Sequence, residues 1–86
     1  MDENFKIIYQ ILKTLEGGMD LPEFDKSVLS HTSLEISKQK WCRIMKMLCD
    51  SGYITGVSVW LSYDCSYPKV ELTRPEITLK GLEYLQ

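Results

Sequence analysis

Apolar residues near the start of the chain recur at helical spacing. Phe5, Ile8, Leu12 and Leu15 form one stripe, with Ile7, Tyr9 and Ile11 on its flanks, which predicts a helix over residues 2–16. Asp2, Glu3, Lys6, Gln10, Lys13 and Thr14 fill the rest of the wheel and leave an apolar face of roughly 200°, wider than one core normally covers. The closing segment of the chain is expected to cover the excess, with a second copy meeting Ile7 and Ile11 as the alternative. Gly17 and Gly18 are expected to end the helix through left-handed backbone. Residues 19–36 carry Pro22, scattered Leu21, Phe24, Val28 and Leu29, and a polar run at 30–33, which fits one or two short helices.

A stronger pattern follows. Ser37 is a good N-cap, and SKQKWCRIMKMLCDSG reads as a helix of about four turns with Gly52 past its end. Trp41, Ile44, Met45 and Leu48 make its apolar face. Gln39, Arg43, Lys46 and Asp50 make the opposite one, with Lys40 and Met47 at the edge. After Gly52 the period becomes two: Val57, Val59 and Leu61 point one way, Ser58 and Trp60 the other. Asp64, Ser66 and Pro68 mark a turn, and KVELT repeats the alternation, so the two runs should pair as an antiparallel hairpin closed by Pro75. Thr78 can cap a last short helix lined by Leu79, Leu82 and Leu85.

Eighty-six residues suffice for one domain, residues 1–86, and 44% apolar with 26% charged residues is the composition of a chain that folds. No apolar run reaches membrane-spanning length and the opening residues are acidic, so a cytoplasmic location is expected. The net charge is −2, but it is unevenly spread: residues 1–36 hold seven acids against three bases, whereas residues 37–46 hold four bases and no acid. An acidic molecule therefore presents a locally positive edge.

The order of elements, helix, short helices, basic helix, hairpin, closing helix, is that of a winged helix-turn-helix in the α+β class. LCDSGYI (residues 48–54) resembles the junction between a recognition helix and the first wing strand, and ITLKGLEYL (residues 77–85) the segment after the wing. Together with FKIIYQILKTLE and WCRIMKMLCDSGYITGV, these strings closely resemble the YjcQ-like family of small bacterial and phage-borne winged-helix proteins. The resemblance spans nearly the whole chain and implies the fold, while the family brings no agreed activity or set of functional residues. Two positions depart from DNA-binding winged helices. Glu35 stands where the turn before the recognition helix often has Gly, which points to an altered turn. The wing tip SYDCSYP has Asp64 and no base before Lys69, so the tip is unsuited to phosphate.

Candidate chemistry is confined to surfaces. Lys38, Gln39, Lys40, Arg43 and Lys46, with Lys69 on the hairpin, are the candidate contacts to double-stranded DNA, since Arg and Gln bond base edges and Lys meets phosphate. The competing reading is a solvated helix face. Asp50, one turn beyond Lys46, can pair with it. Ile7, Ile11, Trp60, Tyr63 and Tyr67 are the candidate protein contacts, although Trp60 is expected to pack under a helix. Trp41 is read as core and His31 as a solvated residue. Cys42, Cys49 and Cys65 indicate a reducing compartment. The first two lie roughly 10 Å apart along one helix at about 1.5 Å per residue, too far for a disulfide. With no CxxC, no GxSxG, no phosphate-binding loop and no HExxH, neither a metal, a cofactor nor catalysis is expected. The function expected is that of a DNA-binding transcriptional regulator, with a winged-helix module for protein interaction as the alternative. A monomer is the favoured state and a homodimer the other.

Overall fold

The computed structural model describes residues 2–64 and 66–86, so Cys65 lies outside the described residues. Helix α1 spans Glu3–Gly17, α2 Lys38–Asp50 and α3 Leu79–Tyr84, and the strands β1 (Ile54–Trp60) and β2 (Lys69–Ile77) form one antiparallel hairpin. This is an α+β fold with the layout of a winged helix. None of the described helices is long and apolar enough to cross a membrane.

Caps account for the helix starts. The Asp2 carboxylate accepts from the Asn4 amide, the Ser37 hydroxyl from the Lys40 amide and the Thr78 hydroxyl from the Gly81 amide, each serving a donor the first turn leaves unpaired. The end of α1 differs from expectation. Gly18 has φ −80 and ψ −10, so no left-handed residue stops the helix, which tightens into a 3-10 turn at Gly18–Asp20. Glycine is needed there for another reason: a Cβ on Gly18 would lie 2.5 Å from the Phe24 ring. A second 3-10 turn, Lys26–Leu29, and the turn at 31–36 complete the connection to α2.

The core is a single cluster of Ile7, Ile11, Leu12, Leu15, Leu29, Trp41, Cys42, Ile44, Met45, Leu48 and Ile54. The buried side of α1 is therefore turned toward Ile7 and Ile11, while Phe5 and Tyr9 remain exposed. Packing explains this, because α2, β2 and α3 all close on α1. Ile7 and Ile11 are core residues, not an interaction surface. Trp41 ties the irregular connection to α2: its indole N–H donates to the Leu29 carbonyl at 2.7 Å, inside the core, and His31 sets its ring against the indole at 6.3 Å. His31 is thus half-buried rather than solvated.

The hairpin is not a regular ladder. Thr55 pairs with Glu76, but Val57 pairs with Leu72, so β2 bulges around residues 73–75 opposite Gly56. Gly56 has φ +76, and a Cβ there would meet the Arg74 carbonyl at 1.8 Å. Pro75 is buried in this bulge, so β2 runs through it to Ile77 instead of ending there. Gly81 lets α3 approach the junction, since a Cβ would lie 2.5 Å from the Tyr53 carbonyl.

Candidate nucleic-acid interface

Helix α2 buries Trp41, Cys42, Ile44, Met45 and Leu48, which forces its remaining residues outward. Lys38, Gln39, Arg43 and Met47 are exposed, while Lys40 and Lys46 are half-buried. The structure brings all five predicted α2 residues to one helix, but it does not leave them equivalent. The Lys46 ammonium pairs with the Asp50 carboxylate at 2.6 Å. Arg43 donates to the Ser66 carbonyl at 3.3 Å and so braces the hairpin loop against the helix. The uncommitted positive end of the helix is its first turn, with Lys38 and Lys40 on either side of Gln39.

The turn delivering this end is intact despite its sequence. Glu35 adopts φ +59, the left-handed conformation that Gly usually supplies. Its amide donates to the Thr32 carbonyl and the Ile36 amide to the His31 carbonyl, while Leu34 and Ile36 pack against the core on either side. The expected alteration of the turn does not occur, because packing and hydrogen bonds hold the backbone where residue type disfavours it.

Lys69 lies on the hairpin, opposite Trp60 in the sheet register and on the same face. The hairpin tip carries no cation. The Ser62 hydroxyl donates to the Asp64 carboxylate and, with a backbone hydrogen bond and the charge of Lys69, holds its pKa below the usual carboxylate range, so the tip stays negative at neutral pH. Trp60 is 48% exposed, contrary to the expected packing under a helix, and Tyr63 is fully exposed; Tyr67 packs against the core instead. Trp60 faces outward because Val57, Val59, Val70 and Leu72 take the inner side of the two-stranded sheet.

Other features carry less chemistry. Cys42 is buried and Cys49 half-buried, and burial next to Asp50 raises the Cys49 thiol pKa, making it a poor nucleophile. An open groove of about 580 Å³ lies between the first 3-10 turn and the bulged end of β2, rimmed by Glu23, Lys26, Arg74 and Glu76. Two acids and two bases on its rim select no ligand charge. Sequence reasoning missed the exposed Leu61, placing it with Val57 and Val59. β1 ends at Trp60, and a strand's alternation says nothing of a residue beyond its last pair.

Comparison with curated proteins and with solved structures gives no match. Residues 9–86 match the family model described as YjcQ protein, a span that takes in most of α1, all of α2, the hairpin and α3, and the chain belongs to the YjcQ family.

Proposed function

We propose that the chain binds double-stranded DNA through the first half of α2, as a small transcriptional regulator. The observation that carries this reading is charge placement. From residue 38 to residue 49 the helix has no acid, in a chain of net charge −2, and its exposed first turn presents Lys38, Gln39 and Lys40 with the positive end of the helix dipole behind them. In a helix-turn-helix the opening residues of the second helix meet base edges while neighbouring cations take phosphate. Gln39 is suited to adenine, and the two lysines to the backbone on either side. Lys46, neutralised by Asp50, and Lys69, on the hairpin near Asp64, contribute less.

Fluorescence anisotropy with duplex DNA over a salt series tests this reading. Replacing Lys38 and Lys40 together by Ala removes two phosphate contacts, so the slope of log affinity against log salt should flatten by nearly two units at about 0.9 per contact. Both side chains lie off the core face, and the melting behaviour should stay within about 0.5 kcal/mol of the parent. An unchanged slope removes this end of α2 from any interface with DNA.

A further inference from the structure

Two exposed side chains of α2 carry the planar polar groups that pair with a purine edge, and the fold treats them differently. Arg43 is the one arginine of the helix and Gln39 its one carboxamide. The Arg43 guanidinium is drawn to the hairpin, its Nη2 donating to the Ser66 carbonyl at 3.3 Å, and it gives up that bond if it turns to guanine. The Gln39 amide has no hydrogen-bond partner among the described residues. Gln39 is also the second residue of the helix, in a first turn fixed by the Ser37 hydroxyl, which accepts from the Lys40 amide at 3.1 Å. The guanine reader is thus tethered and the adenine reader is free. We propose that α2 selects A·T over G·C pairs in the major groove, with Gln39 reading adenine, an inference that rests on α2 binding DNA.

Adenine shows the major groove an acceptor, N7, beside a donor, the N6 amine. A carboxamide carries the matching pair: its NH2 donates to N7 while its oxygen accepts from N6. Guanine shows two acceptors, N7 and O6, so the amide oxygen would face O6 with no proton between them and both would be left desolvated and unpaired. At about 100° per residue, Lys38 and Lys40 project to either side of Gln39, toward the groove walls where phosphates stand when Gln39 points to the floor. The lysines therefore contribute affinity for any sequence, and the amide contributes preference. The hairpin tip adds no competing guanine reader, since no Lys or Arg occurs from residue 61 to residue 68.

Selection by the full chain from a pool of random-sequence duplexes, followed by fluorescence anisotropy on the enriched duplex and its single-pair variants, tests the proposal. The parent should enrich adenine at one position and bind that duplex about tenfold tighter than the same duplex with guanine there. Placing 7-deazaadenine at the position removes N7 alone and should cost at least about threefold. Gln39→Ala should lose both differences while its salt slope, set by the lysines, stays that of the parent, and Gln39→Arg should transfer the preference to guanine. Binding with a salt slope but no base preference, a parent preference for guanine, or an adenine preference that survives in Gln39→Ala would each overturn the proposal and leave DNA binding by α2 standing. A parent that binds no duplex even at low salt would overturn both.

Discussion

The turns at the two ends of α2 share one hydrogen-bond pattern and differ in the residue at its centre. Before the helix, the Glu35 amide donates to the carbonyl three residues back and the Ile36 amide to the carbonyl five back, at 3.1 and 3.0 Å. After it, Gly52 and Tyr53 do the same toward Cys49 and Leu48, at 3.1 and 2.9 Å. Both are Schellman turns, with left-handed centres at φ +59 and +79. The exit uses glycine and is locked further by Thr78, whose hydroxyl donates to the Gly52 carbonyl at 2.6 Å and whose amide donates to Tyr53. The entrance uses glutamate, at a cost of about 1–2 kcal/mol for a left-handed residue bearing a Cβ, and lies directly before Lys38 and Lys40, the lysines proposed to meet DNA. The exit is relaxed and anchored; the entrance is strained and adjoins the proposed binding face.

The largest effect expected at the exit comes from Gly81→Ala. Its Cβ would meet the Tyr53 carbonyl at 2.5 Å and the Ile77 side chain at 2.7 Å, so α3 must lift off the junction. Overpacking of this kind should lower stability by about 2–3 kcal/mol, read from urea unfolding. A loss below about 1 kcal/mol would mean that α3 does not anchor the exit.

Exchanging the residue types at the turn centres sharpens the comparison. Gly52→Ala has room for its Cβ, so backbone strain of about 1–2 kcal/mol is offset only by the roughly 0.5–1 kcal/mol of entropy that the unfolded chain loses, and a net loss of about 0.5–1 kcal/mol is expected. Glu35→Gly should act in the opposite direction. Relief of about 1–2 kcal/mol of strain exceeds the roughly 0.5–1 kcal/mol of added chain entropy in the unfolded state, for a net gain near 0.5 kcal/mol. Destabilisation by both substitutions would show that Glu35 makes a compensating contact.

These turns also show how far residue pattern reaches. The Gly52 exit, the Ser37 and Thr78 caps and the apolar face of α2 were legible because each rests on local chemistry: a missing Cβ, a hydroxyl beside an unpaired amide, a period of 3.6. The entrance was not, because Glu35 is held left-handed by the packing of Leu34 and Ile36, which composition does not encode. The same gap misassigned α1. Its wide apolar face gave no reason to prefer Phe5 over Ile7, and only the placement of α2, β2 and α3 decides which is covered. Within the candidate site the residue types were readable, whereas the pairing of Arg43 with the hairpin loop joins positions 23 residues apart and leaves no local trace.

The smallest expected effect on stability belongs to Asp50→Asn. Breaking the Lys46–Asp50 pair, whose side chains are 44% and 62% exposed, should cost no more than about 0.5 kcal/mol. The same change releases a cation at the exit end of α2. If the DNA-binding face extends that far, the salt slope should steepen by nearly one unit at about 0.9 per contact, and a slope that does not move would confine the face to the entrance.

The bulge in β2 bears on how the protein stays out of aggregates. A two-stranded sheet has open edges, and an open edge recruits other chains through its unpaired backbone groups. Along β2 that recruitment is interrupted at two points: the Lys26 ammonium occupies the Leu72 carbonyl at 3.2 Å, and Pro75, in the bulge, has no amide to donate. An incoming strand would find the ladder broken within three residues. Addition of a strand along the β2 side of the hairpin is thereby disfavoured.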